Sequence, residues 1–151
     1  METETKKYRH STPVQIRFND IDILGHVNNA VYQHYYDYAR IHYFKNVLGK
    51  NVDWKKFSLI LASIKIDYIS PISMHDEIEV QSRVEILGNK SISMKQKLIN
   101  TSTREIISTN RAVLVAYDTE LIHTIEIPSE WKNKLMLYEK DISLKYPVTI
   151  N

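Results

Sequence analysis

Hydrophobic and polar positions alternate along most of this chain, and the places where the period changes mark its elements. Residues 14–18 alternate Val14, Ile16 and Phe18 with Gln15 and Arg17, which predicts a short strand. A polar turn follows, Asn19-Asp20-Ile21-Asp22-Ile23-Leu24-Gly25-His26-Val27-Asn28-Asn29, and residues 30–48 then run without Gly or Pro. In that run Tyr32, Tyr36, Ala39, Tyr43 and Val47 recur at spacings of four and three, one face of a helix, with Gln33, Asp37, Arg40 and Lys45 off it. The stripe reads as core that also has room to line a tunnel, and its buried hydroxyls need partners. Asn28 or Asn29 is placed to cap the helix start, and Gly49 to end it with a backbone that glycine adopts at little cost.

From residue 58 the period becomes two. Ile60, Ala62, Ile64, Ile66 and Tyr68 share one face of a strand that Pro71 ends. In residues 76–86, Ile78, Val80, Val84 and Ile86 oppose Glu77, Glu79, Gln81, Arg83 and Glu85, a strand with one wet face. Gly88-Asn89 is a tight hairpin turn into residues 91–99, and residues 105–117 form the longest strand, apolar on both faces over 112–116. Ile127-Pro128-Ser129-Glu130 opens a short final helix. One strand, one long helix and four antiparallel strands predict an α+β fold with a five-stranded sheet. Residues 1–12 read as a flexible leader, 13–138 as one domain, and 139–151 as an extension able to add a loose strand. A single curved sheet leaves its edges unpaired, so a homodimer is expected.

Composition narrows the function. A chain of 151 residues can bury a real core as one domain. With 20 basic and 18 acidic residues the net charge is +2, too balanced for a nucleic-acid partner. Cysteine is absent, which excludes disulfides, thiolate metal sites and a cysteine nucleophile. No stretch reaches the roughly twenty apolar residues of a membrane span, and residues 1–10 lack the apolar segment of an export signal. A cytoplasmic enzyme or binding protein is the expectation. There is no Gly-x-Ser-x-Gly elbow and no phosphate-binding loop. Asp20, Asp22 and His26 lack the further donors a metal needs, and His34 and His42 stand roughly 12 Å apart along the helix, so no metal is expected.

The polar turn carries the chemistry. A helix start offers free N–H donors and about half a positive charge, which polarise a carbonyl and stabilise the charge that develops on attack. Asp22 lies where the turn can fold its carboxylate back to that start, as a nucleophile or as a base for water. The alternative is an ordinary turn aspartate bonding nearby amides. His26 could orient water, shuttle a proton or hold the carbonyl oxygen, or simply anchor the loop. Asp20 reads as a brace for the turn, and Gly25 as backbone geometry.

Asp22-x-x-Gly25-His26-Val27-Asn28-Asn29-x-x-Tyr32, with Ala39-Arg40 seven residues on, resembles the hydroxybenzoyl-CoA thioesterase family of hotdog-fold proteins, and more particularly its acyl-CoA and acyl-carrier-protein thioesterases. The likeness continues weakly through Asp67-Tyr68-Ile69-Ser70-Pro71, Asp76-Glu77-Ile78 and Gly88-Asn89-Lys90-Ser91. It implies a long central helix wrapped by the sheet, a homodimer or homotetramer, and a role in fatty acid metabolism, with CoA present only as part of the substrate and no separate cofactor. It makes Asp22, His26 and Asn29 the expected catalytic residues, Asn29 through its backbone N–H. It makes Gly25, Asn28, Tyr32, Asn89, Lys90 and Ser91 the expected substrate contacts. A non-catalytic acyl-thioester sensor on the same fold is the alternative, and a hydratase or dehydratase a third reading for which no second motif is found.

Overall fold

The computed structural model describes residues 6–145. Strand β1 (His10–Val14) leads through a 3-10 turn (Phe18–Asp20) to the long helix α1 (Val31–Leu48). Four antiparallel strands follow: β2 (Phe57–Tyr68), β3 (Ile78–Leu87), β4 (Ser91–Asn100) and β5 (Ile106–Asp118). The two-residue β6 (His123–Thr124), helix α2 (Ser129–Glu139) and the two-residue β7 (Ser143–Leu144) complete the chain. The sheet runs β1-β3-β4-β5-β2, with β6 beside β5 and β7 parallel to β3. The five long strands expected are present, extended by two short ones.

The tyrosine stripe is core. Tyr32, Tyr36, Ala39 and Tyr43 are buried, and so are Tyr35, Phe44 and Leu48. Each buried hydroxyl has a partner: Tyr35 donates to Asp20 Oδ2 at 2.6 Å, Tyr36 to Ser108 Oγ at 2.8 Å and Tyr43 to Glu139 Oε1 at 2.5 Å. Arg40, expected on the wet side of α1, is 5% exposed instead. Its guanidinium reaches Gln96 Oε1 at 3.2 Å and pairs with Asp37. Gln96 in turn binds Ser82, Asn110 and the Tyr36 carbonyl, a polar layer that separates two apolar clusters.

Several local expectations shift, each for a physical reason. The first strand lies earlier than residues 14–18 and begins at His10, two residues before the expected end of the leader. In β2 the alternation breaks at a bulge between Leu61 and Ser63, which reverses the faces. Leu59 and Leu61 therefore face the core before the bulge and Ile66 after it, while Ile60 and Ala62 turn outward. A second bulge, between Val84 and Ile86, turns Ile86 out and Leu87 in. Arg83, expected on the wet face, is 1% exposed because the C-terminal segment covers it: both its terminal nitrogens bind Asp141. That segment also supplies β7, the short strand anticipated after residue 140.

Candidate active site

The turn expected to carry the chemistry is fixed by its own backbone. Asp22 N–H bonds His26 O at 2.9 Å, Gly25 N–H bonds Asp22 O at 3.0 Å, and Asn28 N–H bonds Asp20 O at 2.8 Å. Gly25 takes φ +79°, a left-handed backbone that side chains resist. Beneath it Asp20 is buried as the brace. Burial works against its charge, but the Tyr35 hydroxyl and the Arg17 amide and guanidinium outweigh that and hold the carboxyl below the usual range.

Neither asparagine caps α1 in the expected way. Ala30 occupies the N-cap in helical backbone with no side-chain bond, because Asn28 Oδ1 takes the Ala30 N–H at 2.9 Å one step earlier. The Asn28 carbonyl accepts Val31 N–H at 2.9 Å. That bond fixes the planar peptide whose other end is the Asn29 N–H. The next peptide is fixed too, since Tyr68 donates its hydroxyl to Asn29 O at 3.0 Å. Among the described residues the Asn29 N–H has no partner, so it is an oriented donor available to a ligand.

Asp22, His26, Asn28, Asn29 and Tyr32 line one cavity of about 400 Å³ beside this donor, closed on the far side by Tyr68, Ser70 and Pro71. Asp22 is half-buried. Its Oδ1 accepts Leu24 N–H at 2.9 Å, which holds the carboxylate in place; Oδ2 makes no bond among the described residues. Tyr32 is pushed up to about 12 by burial and by Tyr68, so its hydroxyl stays protonated and donates, at 3.4 Å, to the Ser70 carbonyl. The two rings meet edge to face, 5.0 Å between centroids. Asp22, Asn29 and His26 thus border one small volume, a set of groups that suits attack on a carbonyl.

The expected contacts on the hairpin are not brought to this cavity within one chain. Asn89, Lys90 and Ser91 follow Leu87 at the end of the sheet where Ser91 faces Val115, whereas Tyr68 and Ser70 lie at the Ile106–Ser108 end. The eight-residue span of β4 between Ser91 and Ile99 separates them by roughly 27 Å. Asn89 is held by Glu126 at 3.2 Å. Cations further along the sheet are answered within the chain: Lys95 pairs with Glu85, Arg104 with Glu79 at the far turn, and Lys97 lies over the Tyr8 ring. Tyr68 and Ser70, which sequence reasoning did not assign to the site, belong to the weakly resembling Asp67–Pro71 segment. The motif gave notice of that segment, but not of its fold against Asn29.

A long helix clasped by an antiparallel sheet defines the hotdog class of folds. Residues 16–135 match the family described as the thioesterase-like superfamily, and the chain belongs to it. A thioesterase from Thermus thermophilus, solved with coenzyme A and zinc, is 31% identical over 86% of this chain and 93% of its own, with a TM-score of 0.75. The PA5185 protein of Pseudomonas aeruginosa is 30% identical over 86% and 91%, with a TM-score of 0.78. YsmA of Bacillus subtilis is 29% identical, and there the match spans only about half of each chain, 54%. No helix among the described residues is long and apolar enough to cross a membrane.

Proposed function

We propose that the protein hydrolyses an acyl thioester of coenzyme A, or of an acyl carrier protein, to the free acid and thiol. What supports this reading is that Asp22 and Asn29 line one cavity at the start of α1, with Asp22 Oδ2 and the Asn29 N–H both without a partner among the described residues. The thioester oxygen docks on the Asn29 N–H, whose peptide is fixed before any substrate arrives. That preorganisation is what makes such a donor worth roughly 100- to 1000-fold in rate. Asp22 takes a proton from the attacking water, or attacks the carbonyl carbon itself to give a mixed anhydride that water then hydrolyses to the free acid and the restored carboxylate. In either route the C–S bond breaks and the departing thiolate is protonated, with His26 relaying the proton from water. Asp22→Asn keeps the Leu24 bond through its amide oxygen and removes the charge. Its kcat is expected to fall by at least about 100-fold with the melting temperature unchanged, as followed by thiol release. Undiminished turnover would take Asp22 out of the mechanism.

The same Leu24 N–H bond is what a purely structural aspartate makes, and it favours a second reading, an acyl-thioester sensor. Saturable acyl-CoA binding by folded protein without thiol release would select it.

The working unit in this reading is a cytoplasmic homodimer joined along β2. That strand ends the sheet, carries the exposed Ile60 and Tyr68, and runs antiparallel to β5. Pairing it with its symmetry mate sets the Tyr68 end of one strand against the Phe57 end of the other. The partner's Lys90 hairpin then lies at the same end of the joint sheet as this chain's Asp22. Asn89, Lys90 and Ser91 thus serve the neighbouring site as contacts for the CoA part of the substrate.

A further inference from the structure

The turn between β5 and β6 carries a cost that its own chain does not explain. Ile122 takes φ +55°, in the left-handed region where glycine or asparagine sits at little cost and a β-branched residue is out of place. Ile122 is 75% exposed and Leu121 beside it 63%, so neither side chain is covered by the molecule that carries it. The turn is nonetheless firmly held. Asp118 Oδ1 accepts the Glu120 and Leu121 N–H groups, both at 2.9 Å. Thr119 donates its amide and its hydroxyl to the Lys56 carbonyl at 2.9 and 3.0 Å, and Glu120 pairs with Lys56 at 3.5 Å. These bonds fasten the turn to the connector that enters β2. Two apolar side chains presented to water on a fixed and strained turn are accounted for by a surface that covers them.

The cavity beside Asp22 has the complementary defect. Leu24 and Ile69 on its rim are exposed, and so is Ile23 next to them. Within one chain the rim and the turn stand far apart. Phe57 faces Asp118 and Tyr68 faces Ser108, so ten residues of β5, roughly 33 Å, lie between them. Antiparallel pairing of β2 with its symmetry mate removes that distance. It sets the partner's Tyr68 beside Phe57, whose other neighbour is Asp118, so about 10 Å, two strand spacings, separates the partner's Tyr68 from the base of the turn. Resting on that pairing and on the thioesterase reading, we infer that Leu121 and Ile122 roof the partner's cavity, seated against the partner's Leu24 and Ile69. The roof does no chemistry. It narrows the mouth of the cavity and gives the methylenes beside the thioester an apolar wall, so its effect falls on substrate binding.

The chain has no cysteine, so introduced thiols give a readout independent of catalysis. The double variant Ile69→Cys/Ile122→Cys, treated with a bismaleimide that spans two strand spacings, should give a covalent dimer in a yield independent of protein concentration. Neither single variant should do so, because like positions lie at opposite ends of the joint sheet. Ile122→Gly relieves the left-handed backbone and removes the side chain. It should keep the dimer mass and cooperative unfolding, yet raise KM for acyl-CoA at least about tenfold while kcat stays within about twofold. Ile122→Leu, which keeps an apolar side chain there, should hold KM within about twofold of wild type. The roof is overturned if the double variant gives no covalent dimer, if a single variant crosslinks as readily, or if Ile122→Gly leaves KM unchanged. Hydrolysis by wild type alongside any of these results would leave the thioesterase reading standing without the roof. A covalent dimer that binds acyl-CoA without releasing thiol, and binds it at least about tenfold more weakly as Ile122→Gly, would sustain the roof and reject the enzyme.

Discussion

Tyr35 donates its hydroxyl to Asp20, while Tyr43 donates to Glu139 from the other end of the same helix, and the two buried carboxylates respond oppositely. Asp20 is held below the usual range, so its contribution to stability is complete above that range and is lost as pH falls through its folded pKa. Asp20→Asn should cost about 2 kcal/mol at neutral pH, the scale of hydrogen bonds to a charged group. The deficit against wild type should shrink below pH 3.8, the ordinary aspartate value. For Glu139 burial dominates and raises the pKa, although Tyr43, the Val84 amide, Arg83 and Arg9 pull the other way. Its contribution is therefore present at low pH and lost as pH rises through the folded value, and the ionised form is a net cost above it. Glu139→Gln keeps an oxygen for Tyr43 and Val84. It should be at least as stable as wild type at neutral pH, the gap closing as pH falls through the raised folded value and closed once pH is below the ordinary 4.5. Urea unfolding of the variants and wild type across pH tests both signs, and a large loss in Glu139→Gln at neutral pH would show that the arginines outweigh burial.

Among the elements, the turn between Asp22 and Gly25 shows what local sequence can carry. Acidic residues, a glycine and two asparagines before a run without breakers made the helix start and its carboxylate legible, because those preferences are local. Gly25 tests how much the conformation itself matters. A Cβ there would meet nothing within 4 Å, so Gly25→Ala changes only the cost of φ +79°. That should destabilise the protein by about 1–2 kcal/mol, seen as a lower melting temperature, and loosen the Asp22 carboxylate enough to lower kcat as well. What the sequence hid was tertiary. The bulges after Leu61 and Val84 each insert one residue, and nothing in the alternation of Ile60-Leu61-Ala62 announces where parity reverses. Arg40 and Arg83 read as surface residues by type. Their burial depends on Gln96 and Asp141, which lie 56 and 58 residues away in the chain.

At the scale of the molecule, the sheet explains why Asn89, Lys90 and Ser91, three of the six expected substrate contacts, lie far from the cavity in their own chain. On one side β1 ends the sheet, packed against α1, and the β3 edge beyond it is taken up by Glu139 and β7. At the other end of the sheet β6 pairs with β5 on the side away from β2, so the outer flank of β2 remains open. Its Ile60 is 44% exposed with no charge on the adjoining Leu59 or Leu61 to discourage pairing. An open apolar edge and a hairpin lying a sheet's length from the carboxylate it is expected to serve are both resolved by one antiparallel β2 pairing. Light scattering should therefore give twice the chain mass of 17.8 kDa. Ile60→Lys, which leaves every site residue in place, should give the single mass with unchanged circular dichroism. If the neighbouring hairpin completes the site, the monomer should bind acyl-CoA at least about tenfold more weakly, and Lys90→Ala in the intact dimer should raise KM while leaving kcat largely alone. A wild-type monomer that turns over acyl-CoA at full rate would place the whole reaction within one chain and leave Lys90 as an ordinary solvated turn residue.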